Sequence, residues 1–233
     1  MISKEKGRQE YFQSAISVNC VLFSYFEKDL KILVIERNRE PFFEKKALPG
    51  GLVFPDEDLD VAAEKIISGN TSLFQVHKNQ LKAFADTNRH PLGRVITVSY
   101  YSAVRHSEIV LKDTELSKNG TWFSFADIPE LSFDHSQIVK TAILRLKSDI
   151  RYRTRAFNLL ENEFTLPQLQ NLYEVVLGIE LDKRNFRRKL SVMKFIEETG
   201  EVQKSLMYRP AKLYRFNPQT FMEWKMKGNV FSL

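Results

Sequence analysis

The chain has a single cysteine among 233 residues, Cys20. One thiol rules out an intramolecular disulfide and fits a reducing cytoplasm; it lies inside the apolar run ISVNCVLF, where a buried thiol is expected over a nucleophile. Histidine is sparse too, with four in the chain. His90 and His135 stand alone, with no second His or Cys at ligand spacing, so no metal centre is expected. No run of 18 apolar residues is present, and the polar start MISKEKGRQE lacks a signal-peptide pattern; a soluble cytoplasmic protein is expected, without a membrane anchor. Internal repeats are absent. With 43% hydrophobic and 12% aromatic residues, the chain can bury one large core, or a medium and a small one.

Charge is unevenly placed. The net charge is +6, and residues 151–233 alone hold 15 basic and 9 acidic side chains, leaving 20 of each in residues 1–150. All excess positive charge therefore sits in the last third, as expected where only that part meets a polyanion. Its densest stretch is DKRNFRRK, residues 182–189. As a helix it places Arg184, Arg187, Arg188 and Ser191 on one face and Phe186, Leu190 and Met193 on the other. An apolar back and a guanidinium-rich front match a DNA major groove. The plainer alternative is a solvated charged face.

Hydrophobic patterning divides the chain. Ile16–Tyr25 and Lys31–Arg37, separated by FEKD, form an expected strand pair, followed by the loop EPFFEKKALPGG. Leu59–Ile67 has helical spacing. Strands are expected at Gln80–Asp86, Val95–Val104 and Thr121–Phe125, and an amphipathic helix over His135–Ile150. This predicts an α/β (α+β) sandwich with a mixed sheet over residues 1–150. RYRTR, 151–155, is then a linker to a second domain within 151–233. There Thr165 and Gln168 form a capping box, Leu166–Leu177 carries an apolar stripe, and Gly178 is placed to end the helix. Asp182 caps the basic helix, expected to run to Thr199-Gly200. Two extended pieces around Arg209-Pro210 complete the order of a winged helix-turn-helix.

LPGG (48–51) followed by Glu57 resembles the start of the Nudix box, G-x5-E-x7-R-E-U-x-E-E-x-G-U, where U is aliphatic. Gly51, Glu57, Ile67 and Leu73 match. The segment expected to read R-E-U-x-E-E reads Lys65, Ile66, Ile67, Ser68, Gly69 and Asn70, and the final glycine is Ser72. The carboxylates that would hold divalent cations and activate water are missing, so a scaffold without its chemistry is expected, and Gly69-Asn70 is expected to shorten the helix. Together with GRVITVSYYSAV, FDH (133–135), FTLPQLQNLYEVVLG, LDKRNFRRKL and RPAKLYRFNP, the chain is similar to the Nudix-related transcriptional regulators, which join a degenerate Nudix domain to a C-terminal winged helix. The resemblance covers nearly the whole chain. It implies a Nudix-like α/β/α sandwich that dimerises and binds a small effector, ADP-ribose or a pentose-type metabolite, and a winged helix that binds a palindromic double-stranded operator. A non-enzymatic repressor with no cofactor follows.

Candidate residues follow from these two halves. Lys183, Arg184, Asn185, Arg187, Arg188 and Lys189 on the basic helix, with Lys204, Arg209 and Lys212 on the wing, are expected at DNA; Arg184, Asn185 and Arg188 lie where such helices meet base edges. Arg37, Arg39, Arg89 and Arg94 edge the presumed cleft and are expected to clamp a phosphate, although surface ion pairing is the competing role. Tyr100 and Tyr101 point to opposite faces of one strand, Tyr101 being assigned to the cleft. Glu57, Asp58, Asp60 and Glu64 are read as helix-dipole partners before a remnant metal site. Asp134 is expected to cap the helix after it. The alternatives are a Nudix-type hydrolase of a nucleoside diphosphate derivative with weak or atypical activity, which lacks its glutamates, and an interaction module, which leaves the basic helix unused.

Overall fold

The computed structural model describes residues 14–203 and 210–231. Among them, seven strands form one sheet in the order β3-β2-β1-β6-β5, with β4 beside β1 and β7 beside β2. The strands are β1 (Ala15–Phe26), β2 (Asp29–Arg37), β3 (Lys46–Ala47), β4 (Gly50–Leu52), β5 (Asn79–Phe84), β6 (Val95–Ala103) and β7 (Ser117–Ser124). Glu27 and Lys28 both take positive φ, as the two central residues of a tight hairpin turn between β1 and β2 must. The β3 and β4 pieces, two and three residues long, fall inside the segment expected to be loop; runs so short carry no periodic signal.

Helix α1 (Leu59–Asn70) buries Ala62, Ala63 and Ile67, and the Cys20 thiol lies 3.7 Å from the Ala63 carbonyl. The helix runs through Gly69 and Asn70 and is not shortened by them: the Asn70 carboxamide donates to the Ile66 carbonyl at 2.8 Å and accepts from Ser117 Oγ at 2.5 Å. That bond within the helix and the tertiary bond from Ser117 offset the low helix propensity of the pair. Helix α2 (His135–Tyr152) buries the expected stripe of Ile138, Val139, Ala142, Ile143 and Leu146. Each such side chain contributes about 1.5–3 kcal/mol when withdrawn from water.

The chain divides into two compact units. One holds the described residues to Phe23, Ile32–Ser102 and Glu108–Ala142; the other holds Ser24–Lys31, Ala103–Ser107 and the residues from Ile143 onward. In the second unit the expected linker RYRTR is not extended. Helix α2 continues to Tyr152, a 3-10 turn covers Thr154–Asn158, and Arg153 pairs with the buried Asp149 at 3.5 Å. Helix α3 (Leu166–Leu177) begins at the Thr165–Gln168 capping box and ends at Gly178, whose φ of 69° needs no Cβ. Helix α4 (Lys183–Ser191) follows, capped by Asp182. It stops at Ser191, short of Thr199, because Ile196 pairs with Phe216 and pulls the backbone into a strand. Strands β8 (Phe164–Thr165), β9 (Ile196–Gln203) and β10 (Ala211–Phe216) form a second sheet in the order β8-β10-β9. Helix α5 (Pro218–Met226) closes the unit. No helix among the described residues is long and apolar enough to cross a membrane.

The core of the second unit is aromatic. Phe195, fully buried, meets Phe221 and Trp224 edge-on at 5.2 and 5.3 Å, and Phe216 stacks on Phe157 at 4.4 Å. Phe195→Ala should destabilise this unit by about 3–5 kcal/mol, the usual cost of emptying such a site. Urea unfolding followed by Trp224 fluorescence checks this, and a loss below about 1 kcal/mol would show that the cluster is not the core.

Candidate effector pocket and DNA-binding helix

Strand alternation puts Ser17 and Asn19 of β1 on the face opposite Cys20, where they meet Thr97 of β6; the Ser17 and Thr97 hydroxyls are 2.6 Å apart. This row is the polar part of a cavity of about 240 Å³ within the first unit. Ile35, Leu48 and Val95 supply apolar wall, and Arg37, Arg39, Arg89, His90, Phe133 and His135 line it as well. Arg37 is half-buried; its Nε donates to the Pro41 carbonyl at 2.7 Å and its guanidinium lies 4.9 Å from the centre of the Phe133 ring. Burial, with Arg39 nearby, holds its pKa below the usual arginine value. Arg39 is exposed at the cavity edge. His90 stacks on Phe133 at 5.1 Å.

Arg89 is buried and committed. Its Nε and Nη2 donate to the two carboxylate oxygens of Asp134 at 2.9 and 2.5 Å, so the Asp134 carboxylate serves this pair where a helix cap was expected. Two expected effector residues do not line the cavity. The Arg94 Nη1 donates to the Ala85 carbonyl at 2.6 Å, which ties it to the end of β5. Tyr101 is 1% exposed and meets Phe23 edge-on at 6.2 Å. It shares a β6 face with Thr97, but the cavity ends at Thr97 and the face continues into core. Tyr100 is buried too and bonds Asp60, so neither tyrosine reaches the cavity.

Two residues that sequence reasoning passed over lie in this wall. Asn19 is 6% exposed, and its polar alternation with Ser17 in an otherwise apolar strand was the available signal. His135 is buried, and its Nδ1 accepts from the Leu48 N–H at 3.0 Å. That bond puts the ring proton on Nε2, and burial pushes the pKa down to about 3, against an opposing pull from Asp134.

The degenerate Nudix helix borders a neighbouring groove lined by Ile66, Gly69 and Asn70. The acidic residues near it are engaged. Glu57 pairs with Lys65 at 2.6 Å, Asp58 caps α1 through the Asp60 N–H, and Glu64 accepts from Lys78 Nζ at 3.0 Å and from the Gln75 N–H. Among the described residues no three His, Cys, Asp or Glu side chains converge on one point. This residue set does not fit the divalent cation that Nudix chemistry employs.

In the second unit, Asp182 accepts from the Asn185 N–H at 2.8 Å and starts α4. Phe186, Leu190 and Met193 are buried, while Lys183, Arg184, Asn185, Arg187, Arg188 and Lys189 are exposed. Helix α3, the turn at Gly178 and α4 form a helix-turn-helix, and β9 with β10 forms the wing. Lys212 lies on β10 and pairs with Glu198 at 2.7 Å; Arg215 pairs with Glu197 at 3.2 Å. Lys204 and Arg209 lie outside the described residues.

A Nudix domain followed by a winged-helix DNA-binding domain is the class that these features define. Residues 14–142 match the NUDIX domain model and residues 156–216 the NrtR DNA-binding winged helix domain model. The chain belongs to the NrtR-type family of Nudix-related transcriptional regulators. The ADPR responsive transcriptional repressor NtrR of Acinetobacter baylyi is 30% identical over 218 residues, 92% of this chain and 86% of that protein. The ADP-ribose pyrophosphatase of Methanocaldococcus jannaschii is 34% identical over 130 residues, 56% of this chain and 73% of that enzyme. Shewanella oneidensis NrtR complexed with a 27mer DNA has a TM-score of 0.77 at 28% identity, covering 93% of this chain and 97% of that one. Its Nudix domain complexed with ADP ribose has a TM-score of 0.53 at 27% identity, covering 57% and 88%.

The buried His135 predicts a pH response. Its folded pKa is depressed, so the unfolded chain takes up the proton first as pH falls below about 6.5, and stability is lost from there down toward pH 3. Between pH 7 and 5 the wild type should lose about 2 kcal/mol more than His135→Gln, read by urea unfolding with Trp122 fluorescence in a Trp224→Phe background. Equal losses in both proteins would remove His135 as the cause.

Proposed function

We propose that the chain is an ADP-ribose-responsive transcriptional repressor of the cytoplasm. Residues 1–150 form its effector-binding domain, residues 151–233 its DNA-binding domain, and two copies act together on a palindromic operator. The observation that carries this reading is the exposed basic face of α4, set by its apolar back and the Asp182 cap within a helix-turn-helix. Arg184, Asn185 and Arg188 face base edges, and Arg187, Lys183 and Lys189 face phosphates. Recognition helices about 34 Å apart read successive major grooves. The effector enters the cavity between Arg37, Arg39 and Phe133; the ADP-ribose complex of a relative's Nudix domain supports the choice of ligand. It shifts DNA binding by having different affinity for the two states of the repressor. The Nudix domain binds without hydrolysing, because Ile66, Gly69 and Asn70 stand where catalytic carboxylates are required.

The direct test titrates ADP-ribose into a complex of the protein with its operator, followed by fluorescence anisotropy, and assays the same mixture for hydrolysis with Mg²⁺. DNA release without turnover is the expected result. No effect of saturating ADP-ribose would overturn the effector assignment; metal-dependent cleavage abolished by Glu57→Gln would overturn the non-enzymatic reading.

For the helix, Arg184→Ala and Arg188→Ala should each cost about 1–3 kcal/mol of operator binding and relax sequence preference. Lys189→Ala should weaken all sequences alike and flatten the salt slope by about one unit. Wild-type affinity in both arginine variants would displace α4 from the groove.

A further inference from the structure

Two side chains in the cavity wall each present polar atoms with no hydrogen-bond partner among the described residues. The Asn19 carboxamide is 94% buried, lines the cavity and makes no side-chain hydrogen bond among the described residues. It lies so close over Gly50 that a Cβ there would come within 2.1 Å of its Nδ2, so the glycine keeps the space the carboxamide occupies. His135 spends Nδ1 on the Leu48 N–H, which leaves Nε2–H as a fixed donor in the same wall with no acceptor among the described residues. These atoms open onto the cavity and are not sealed in the core, so a ligand with matching atoms can reach and pair with them.

The rest of the wall narrows the ligand. Ile35, Leu48 and Val95 are at most 6% exposed and offer apolar contact to a flat group, whereas a sugar would need a partner for each hydroxyl. A carboxamide pairs in two bonds with the exocyclic amine and adjoining ring nitrogen of adenine, and a fixed imidazole donor suits a further ring nitrogen. We infer that Asn19 and His135 are the base-reading residues of this pocket and that they select a purine with adenine's donor-acceptor edge. This rests on the effector reading above and goes beyond it by stating which end of the nucleotide enters. The diphosphate and the second ribose then lie toward the cavity edge, where Arg39 is exposed.

The experiment follows the side-chain amide resonances of Asn19 in ¹⁵N-labelled full-length protein, assigned with Asn19→Ala, while ADP-ribose, AMP or ribose 5-phosphate is added. Calorimetry with ADP-ribose compares wild type with Asn19→Ala. ADP-ribose and AMP should both shift the Asn19 pair, ribose 5-phosphate should not, and Asn19→Ala should bind ADP-ribose at least tenfold more weakly. A shift with ribose 5-phosphate but not AMP would assign the pocket to the sugar and overturn the inference, as would unchanged affinity in Asn19→Ala. If wild type binds no ADP-ribose, the effector reading fails separately, and the base-reading inference is then decided by AMP alone.

Discussion

The bidentate contact between Arg89 and Asp134 fixes the geometry of the pocket. It fastens the 86–94 loop to the residue just before α2, and the next residue, His135, takes the Leu48 N–H from the turn between β3 and β4. Two neighbouring side chains thus join three segments that are distant in sequence. Because the pair is shielded from water, breaking one half would leave an uncompensated charge, a cost of about 3–5 kcal/mol. That rigidity leaves Arg89 little freedom to serve a ligand. The less constrained Arg39 and the half-exposed Arg37 are better placed for that work.

The first unit keeps a Nudix frame while its acidic groups serve structure. Glu57 is neutralised by Lys65, Asp58 caps α1, and Glu64 fastens residues 75 and 78. Asn70, at a position where the box calls for a carboxylate, has become a link between α1 and β7. Restoring glutamate there would cut that link and bury a charge beside Ser117. At this one position the residue that departs from the box also serves packing.

What was legible in the sequence was local. The Thr165–Gln168 box, the Gly178 stop, the Asp182 cap and the two faces of α4 each depend on residues within about one helical turn, so spacing alone predicts them. Cleft membership depends on where a sheet stops being cavity and becomes core. Tyr101 was expected in the cleft but sits in core for that reason, four residues beyond Thr97 on the same face. Arg94 was misplaced because its acceptor, the Ala85 carbonyl, carries no sequence signature. RYRTR read as a linker because its charge hides a helical continuation anchored on Asp149. Asn19 was missed because a single polar residue in an apolar strand is ambiguous until the opposite wall is known.

The wing carries its own counter-charges. Glu197 and Glu198 on β9 hold Arg215 and Lys212 of β10, so these two cations are already partly satisfied before any phosphate approaches. On the proposed DNA-binding reading, the exposed cations of α4 then carry most of the grip that the described residues offer, and a single copy should hold DNA only weakly. In the two-copy arrangement proposed above, strength would come from avidity: once one helix is seated, the second binds at a high effective concentration set by the geometry of the pair. An assembly built this way is sensitive to spacing. In that proposed arrangement, moving one helix out of register would forfeit the multiplicative gain and leave only the weak single-site term, so a modest change in the spacing of two copies would be enough to clear an operator.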